Sequence, residues 1–509
     1  MKQLLTVFTL LCAVVLSSCV TEPELSGVEL ENRSLRAWMK KNKPKLLDNY
    51  QSTGDYYVDV LEWGEASPVK SENDFGGEPI MEQDTCWMIY NFTGYNLLGD
   101  VCVTRDALTA RMQNTFSKNT HYVPFLNFCG AANSYGIMEG TYLATRNILK
   151  LGQAYVEEKN FSSSDFVMRK GSKVRLYLPS TIGYGSSGTS QDGGYEGQFQ
   201  LEVNVPVIMD IEVVRVIKNP SDYEVEMVDC VIKDANTRAG KEVWYTIATE
   251  QEGSDDDVDE SGTSAESTET YTGLYYTTEY TPGDETLSPR YMTASSDVVG
   301  DCYTDNYDTG RYADMKALDE KIAEVLKEKF AKMELAADDA NAKEVGENGS
   351  AVIWYVARFF DGFVLDTNIP EVSELVFGSS DSASSSITYN ASTNKDDYVG
   401  AWYHCIPKLK YGRWGAIATT SGYAYGAEGI SGSTASSSST SYYDYGYGYG
   451  YYDYYNYYNS YSYPYYMSYP IYDTPSYTYD GETGAISTEV QPYTPLLFYV
   501  FIEPTKSTE

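Results

Sequence analysis

Few residues of this chain have the types and spacing that catalytic chemistry usually requires. The chain contains only two histidines, His121 and His404, and neither lies in a metal-ligand or nucleophile motif. The sequence also has no G-x-x-x-x-G-K-[ST] phosphate-binding loop and no G-x-S-x-G motif. These observations exclude most hydrolase and transferase mechanisms, and the sequence predicts neither a metal site nor a cofactor.

The cysteines do not define a disulfide framework. After the first nineteen residues, six remain without any C-x-x-C pair: Cys86, Cys102, Cys129, Cys230, Cys302 and Cys405. Cys86, Cys102 and Cys129 lie in apolar, strand-like patterns. We therefore expect buried free thiols at these three positions.

An acidic run at 251–270 offers carboxylates at Asp255, Asp256, Asp257 and Asp259. Carboxylates can bind a hard cation, but this spacing lacks the Gly turn and the terminal Glu of a calcium-binding loop. The run is rich in Ser, Thr and Glu and poor in apolar residues, a composition that favours a solvated, disordered linker.

Two segments of the C-terminal half carry a specific order of aromatic, acidic and Gly residues. Residues 353–368 read IWYVARFFDGFVLDTN, a strand, an Asp-Gly turn and a second strand that ends at Asp366. Residues 401–426 read AWYHCIPKLKYGRWGAIATTSGYAYG. This segment opens with Trp402 on a short helical run, breaks at Gly412 and continues as a strand.

Together the two segments resemble the FKBP-type peptidyl-prolyl isomerases, whose consensus has a strand, a D-G turn, Phe-Asp, G-W, a G-x-[KR] strand and a Y-A-Y-G loop in this order. The resemblance implies rotation about X-Pro peptide bonds, which has a barrier of roughly 20 kcal/mol. No covalent bond is made or broken, so no cofactor is needed. An apolar aromatic pocket that desolvates the amide and fits its twisted state is sufficient.

The resemblance also implies which residues line the pocket. The implied catalytic residues are Tyr355, Asp366, Trp402, Tyr425 and Phe498. The implied substrate-binding residues are Leu365, Ile387 and Val399. Trp402 would be the floor, Tyr355 and Phe498 the walls, and Asp366 and Tyr425 the polar side. Leu365 stands where the family usually has Phe, a departure that concerns turnover more than the fold. The alternative for Trp402 and Phe498 is ordinary core packing.

The same order of blocks occurs earlier in the chain, which indicates an internal duplication. The blocks are residues 88–103, 136–143, 170–185 and 205–216. At the pocket positions this copy has Phe92, Cys102, Val103, Thr141, Tyr184 and Met209. Because it lacks the Trp and the Asp, we expect a structural or peptide-binding module with little isomerase activity.

The N-terminus predicts a lipid anchor. It has a Lys at position 2, a short apolar run and Leu-Ser-Ser-Cys at 16–19, the pattern of a bacterial lipoprotein signal. The run is too short to span a membrane, so Cys19 would carry acyl chains instead. An ordinary secretory signal with a chance Cys is the alternative. We expect the protein in the bacterial cell envelope, on the outer membrane.

The net charge of −36 and pI near 4.3 argue against a nucleic-acid partner, which requires a basic face. The resemblance implies an α+β protein with two FKBP-like modules, each a twisted antiparallel sheet wrapped around one short helix. The expected divisions are a signal peptide at 1–18, a tether at 19–34, a first module at 35–218, a helix and acidic linker at 219–270, and a second module at 271–503.

Two insertions are expected in the second module. The first is a helix at 312–335, whose apolar face would pack on the module: Leu318, Ile322, Val325, Leu326 and Phe330. The second is a Tyr-rich segment at 431–487, expected to be disordered. It follows the Y-A-Y-G loop, so it would be either an aromatic flap that holds unfolded chains or a tolerated loop expansion.

These observations lead to two functional hypotheses. The first is a lipid-anchored peptidyl-prolyl isomerase and chaperone in the cell envelope, with its activity in the second module and proline-containing unfolded or envelope proteins as clients. The alternative is a catalytically inactive FKBP-like scaffold for protein binding or assembly.

Overall fold

The computed structural model describes most of both predicted modules. The described residues are 27–64, 86–129, 139–185, 201–202, 204–250, 268–284, 309–378, 386–390, 398–427, 429–430, 477–479 and 486–505. The predicted signal peptide, Cys19, the acidic residues at 255–259 and most of the Tyr-rich segment lie outside these ranges.

The described part of the first module contains four α-helices and nine strands. The helices are α1 (Gly27–Asn42), α2 (Ala107–Met112), α3 (Glu139–Arg146) and α4 (Gln153–Lys159). The strands are β1 (Tyr50–Gln51), β2 (Tyr56–Glu62), β3 (Cys86–Tyr95), β4 (Val101–Thr104), β5 (Phe125–Cys129), β6 (Leu149–Lys150), β7 (Asp165–Phe166), β8 (Lys173–Leu178) and β9 (Val207–Ile217).

The described part of the second module contains the same number of elements. Its helices are α5 (Pro220–Ala239), α6 (Thr309–Phe330), α7 (Pro370–Phe377) and α8 (Gly400–Cys405). Its strands are β10 (Tyr245–Glu250), β11 (Thr268–Thr277), β12 (Ser350–Phe359), β13 (Val364–Thr367), β14 (Ile387–Asn390), β15 (Arg413–Thr419), β16 (Tyr477–Tyr479), β17 (Ile486–Thr488) and β18 (Leu496–Ile502).

The main sheets of the two modules have the same topology. The first has the strand order β1-β2-β8-β9-β3-β4 with β5 paired to β3, and the second has β10-β11-β15-β18-β12-β13 with β14 paired to β12. All these pairs are antiparallel. Ala144 of α3 and Ala401 of α8 are fully buried against their sheets. The predicted α+β class with two antiparallel modules is therefore confirmed.

The beginnings of both modules differ from the expected divisions. Residues 27–34 were expected in a tether, but they form the first half of α1, because Leu35 and Met39 anchor this helix in the first core. The segment 219–270 was expected to connect the modules. Its helix α5 instead packs in a core of the second module, and β10 is the edge strand of the second sheet. The second module therefore begins at α5.

Local sequence explains where α5 begins and ends. The Asn219 side chain accepts a hydrogen bond from Ser221 N, and Pro220 occupies the first turn, where its missing N–H is harmless. Gly240 ends the helix with φ of 67°, a left-handed conformation that glycine adopts without strain.

The predicted insertion helix is present as α6, and it covers one face of the second sheet. Ile322, Leu326 and Phe330 are buried in the core, and Leu318 and Val325 pack against it. The first sheet has no such helix on the equivalent face within the described residues. There, the bidentate ion pair Arg175–Asp210 occupies the register positions that Ala416 and Tyr499 hold in the second sheet.

Two short stretches near the end of the segment expected to be disordered form strands, at residues 477–479 and 486–488. Strands β16 and β17 form a separate two-stranded antiparallel sheet, and Tyr479 lies opposite Ile486. The strands read Tyr-Thr-Tyr and Ile-Ser-Thr, and Tyr, Thr and Ile have high β propensity. Among the described residues, no helix is both long and apolar enough to cross a bilayer.

Candidate functional site

The candidate site lies on the face of the second sheet that packs against α8. Side chains alternate along β12, so Tyr355 and Ala357 face this side and Val356 faces the core under α6. Ala357 lies between Asp366 of β13 and Phe498 of β18 in the cross-strand register. Only the methyl group of Ala357 stands at this central position between the residues that carry the carboxylate and the phenyl ring.

The rings of three aromatic residues meet on this face of the sheet: Tyr355, Trp402 and Phe498. The ring centroid of Trp402 is 5.0 Å from that of Tyr355 and 5.8 Å from that of Phe498, with interplanar angles of 73° and 78°. Edge-to-face contacts of this kind fix ring orientation. The sequence-predicted floor and walls therefore come together in the structure.

Asp366 and Tyr355 form a polar pair at the edge of this aromatic cluster. The Tyr355 hydroxyl donates to Asp366 Oδ2, and Thr367 N donates to Oδ1 at 2.7 Å. Burial raises the pKa of the Asp366 carboxyl, while these two hydrogen bonds oppose the shift. Asn368 Oδ1 also accepts from Tyr355 N at 2.7 Å, so the backbone and the side chain of Tyr355 are both held.

The Trp402 indole is a further donor in the site. The side chain is 94% buried, and its Nε1–H has no acceptor within the described residues. A buried N–H without a partner is costly, and it gains free energy when a ligand carbonyl accepts from it.

The remaining predicted residues pack against the same core. Leu365 is buried within it, whereas Ile387, Val399 and Tyr425 are half-buried at its margin. Tyr425 follows the 3₁₀ turn Ser421–Tyr423. All eight predicted residues of the second module therefore adjoin one cluster, and their catalytic and substrate-binding roles remain predictions.

The equivalent place in the first module is filled. Gly94 lies between Val103 and Met209 in the register, as Ala357 lies between Asp366 and Phe498. A methyl group at Gly94 would come within 2.6 Å of Val103 Cγ1 and 3.0 Å of Met209 Sδ. The other predicted residues of this copy are also buried: Phe92, Cys102, Thr141 and Tyr184. This closed cluster contains no carboxylate and no indole.

Neither histidine contributes to a metal site in the described part of the chain, where no group of three or more His, Cys, Asp or Glu could hold an ion. His121 instead contacts Asp361 of the second module. Burial raises the pKa of Cys102 to about 11 and that of Cys405 well above its ordinary value, so these thiols stay protonated.

Sequence reasoning missed one buried acid beside the site. Glu224 of α5 accepts hydrogen bonds from both Ser421 N and Ser421 Oγ. Glu31 of α1 makes the same two bonds with Ser180. The sequence signal in both copies was a Glu on the apolar face of a helix, followed four and eight residues later by apolar residues. These residues are Glu31, Leu35 and Met39 in the first copy and Glu224, Val228 and Ile232 in the second.

No protein-family model and no curated protein matches the sequence. Among solved structures, the chain is similar to the three FKBP domains of wheat FKBP73, with 10% identity over 89% of this chain and 95% of that chain and a TM-score of 0.19.

Two bacterial structures are similar over shorter stretches. FkpA from Escherichia coli is 17% identical over 43% of this chain and 71% of that chain, with a TM-score of 0.21. A peptidyl-prolyl cis-trans isomerase from Pseudomonas syringae pv. tomato is 14% identical over 38% and 99%, also with a TM-score of 0.21. Scores of this size do not assign the chain to a family, so the functional proposal rests on the geometry of the site.

Proposed function

We propose that the second module is a peptidyl-prolyl cis-trans isomerase of the FKBP type. The observation that carries the proposal is the convergence of Tyr355, Asp366, Trp402 and Phe498 on one face of the sheet, with edge-to-face rings around a small central residue. The filled equivalent in the first module supports placing the activity in the second module alone.

This geometry suits rotation about an X-Pro bond. An apolar floor and walls remove water from the amide, which weakens the resonance that creates its barrier of about 20 kcal/mol. The Trp402 Nε1–H is a donor for a substrate carbonyl. Asp366 holds the Tyr355 ring in place, and Tyr425 completes the polar side. These groups act by desolvation and shape, with no covalent step.

Two buried tryptophans on opposite faces of the second sheet allow a matched test. Trp402 lies in the candidate site, and Trp414 lies in the core under α6. In the full chain, Trp402→Leu should lower kcat/KM for a proline tetrapeptide by at least about tenfold, a loss of about 1.4 kcal/mol in transition-state stabilisation. Trp414→Leu should leave it near the wild-type value below the unfolding temperature. Equal losses in both variants would reject the assignment.

A catalytically inactive binding scaffold is the second candidate. Two observations favour it. Leu365 stands where the resemblance implies Phe, so the lining has one aromatic side chain fewer. The equivalent place in the first module is filled. Titration of a proline peptide followed by NMR separates the two functions. Saturable shifts near Trp402 without faster cis-trans exchange would support the scaffold.

We further propose that acyl chains on Cys19 hold the protein on the bacterial envelope, at the outer membrane, where it acts on proline-containing unfolded or envelope proteins. The support is the signal-like sequence before Cys19. Cys19→Ala should abolish acyl labelling and move the protein to the soluble fraction. Membrane association of the unlabelled variant would contradict the anchor.

A further inference from the structure

A buried carboxylate connects α5 to the chain segment that carries Tyr425. We propose that Glu224 is a positioning residue of the candidate site, which sets the location of Tyr425 through Ser421. The inference rests on the proposed function and adds a residue that lies outside the pocket itself.

The first step of the connection is a two-point clamp on one residue. Glu224 Oε2 accepts from Ser421 N at 2.5 Å, and Oε1 accepts from Ser421 Oγ at 2.7 Å. Glu224 is 2% exposed and Ser421 is 3% exposed. Val228 and Ile232 fix the helix below it in the core. Both carboxyl oxygens accept from the same residue, so the clamp defines the position of Ser421.

The second step leads from Ser421 to Tyr425. The Ser421 carbonyl accepts from Ala424 N and from Gly426 N, each at 2.8 Å. These two amides flank Tyr425 on both sides. The Gly426 carbonyl also accepts from Tyr493 N at 3.1 Å. Two successive sets of hydrogen bonds therefore connect the Glu224 carboxylate, through Ser421, to the backbone on either side of Tyr425.

The first module contains the same clamp next to the filled cluster. Glu31 accepts from Ser180 N and Ser180 Oγ, each at 2.5 Å, and the Ser180 carbonyl accepts from Gly183 N and Gly185 N on either side of Tyr184. Tyr184 is buried in the filled cluster, so this copy supports the fold only. The duplication thus provides an internal control in the same chain.

The energetics indicate that the clamp specifies geometry. Burial raises the pKa of Glu224 to about 7, which shows that the ionised group is disfavoured there. A buried acid adds little net stability compared with an apolar residue, but it fixes which groups pair. Alanine would remove both acceptors, whereas glutamine keeps a carbonyl acceptor for Ser421 N and can donate to Ser421 Oγ.

The experiment compares Glu224→Ala, Glu224→Gln and Glu31→Ala in the full chain by two readouts. Hydrogen exchange at the amides of Ala424 and Gly426 reports the clamp, and kcat and KM for a proline tetrapeptide report the site. Glu224→Ala should speed the exchange and lower kcat/KM by about tenfold, as expected for losing one or two positioning hydrogen bonds. Glu224→Gln should stay within about threefold of wild type in kcat/KM.

Glu31→Ala should speed exchange at Gly183 and Gly185 and leave kcat/KM unchanged. Equal losses of activity in Glu31→Ala and Glu224→Ala would overturn the inference, because the effect would then follow general stability. Unchanged exchange at Ala424 and Gly426 in Glu224→Ala would also overturn it. If Glu224→Ala does not fold, Ser421→Ala removes one of the two bonds and serves in its place. A wild-type protein without isomerase activity would reject the proposed function, while the exchange readout would still decide whether the clamp exists.

Discussion

His121 of the first module donates a hydrogen bond to Asp361 of the second, with 2.7 Å between Nε2 and Oδ2. The imidazole ring stacks on Phe359 with centroids 4.0 Å apart and lies against Phe363 at 4.7 Å. Asp361 is in the turn between β12 and β13, the strands that carry Tyr355 and Asp366. The first module therefore contacts the turn that joins the two strands carrying Tyr355 and Asp366 of the candidate site.

Further contacts extend this junction to the segment before β18. Gln491 Nε2 donates to Pro124 O at 3.0 Å, and its Oε1 accepts from Leu126 N at 2.9 Å. Thr488 Oγ1 donates to Asn119 O at 2.8 Å. These hydrogen bonds join the two modules, so we expect their unfolding to be coupled.

The first prediction concerns this junction. His121→Ala removes a stacked ring and the donor to Asp361, so it should lower the free energy of unfolding by about 1–3 kcal/mol. Lys45→Ala is a suitable control, because Lys45 and Glu158 form an exposed pair that contributes about 0–1 kcal/mol. Chemical denaturation of the full chain measures both. An unchanged midpoint in His121→Ala would show that the junction is energetically negligible.

The second prediction concerns the filled cluster of the first module. Val103 occupies the register position of Asp366 and is 3% exposed. Val103→Asp places a carboxylate among apolar groups and should destabilise the protein by about 2–5 kcal/mol at neutral pH. Val103→Asn has the same shape without a charge and should cost less.

Val103→Asp should not create isomerase activity, because Thr141 provides no indole floor. The assay is done in a Trp402→Leu background, which isolates any contribution of the first module. Turnover appearing in this double variant would contradict the assignment of that module as inactive.

The third prediction concerns pH. Burial raises the pKa of Glu224 from an ordinary value of 4.5 to about 7 in the folded protein, so the folded state holds this proton more tightly than the unfolded chain. The stabilisation is fully present below about pH 4.5 and is lost as the pH rises through about 7. Because Gln does not titrate, Glu224→Gln should gain up to roughly 3 kcal/mol relative to wild type between pH 4.5 and pH 8. Parallel stability curves for the two proteins in urea unfolding would contradict the shift.

The sequence predicted the parts of the fold that depend on local pattern. The strand, Asp-Gly turn and strand at 353–368 and the apolar face of α6 are local features, and the structure contains both. The repeated order of blocks in the sequence placed Val103 at the position of Asp366, and the two residues hold equivalent register positions in the structure. The convergence of Tyr355, Trp402 and Phe498 came from the resemblance, because their separation in the chain gives no local signal.

The features that the sequence did not predict depend on distant partners. From the sequence, Glu224 is expected on the surface of an acidic helix. Only the fold brings Ser421, a residue distant in the chain, into contact with it. His121 gives no sign of its contact with Asp361, because docking of one module on another is set by shape. Residues 27–34 were expected to be a tether because their composition is polar. In the structure one of these polar residues, Glu31, is buried and contacts Ser180.

The fourth prediction concerns the Tyr-rich segment. Ile430 and Val490 form an antiparallel bridge at its base, with N–O distances of 2.7 and 3.0 Å. Deleting residues 431–476 keeps this bridge, the β16–β17 sheet and the core strands, so the second module should remain folded. Turnover of a short proline peptide should change little, because the eight predicted pocket residues lie outside the deletion.

The same deletion should weaken the hold on unfolded clients, because Tyr side chains offer large contact area at low rotamer cost. Suppression of aggregation of an unfolded protein is the measurement, and it should fall. Replacing 431–476 with a Gly-Ser segment of equal length separates the Tyr side chains from loop length, since such a segment stays flexible. The replacement should behave like the deletion. If both variants suppress aggregation as well as wild type while remaining folded, the segment is only an expanded loop and the flap hypothesis fails.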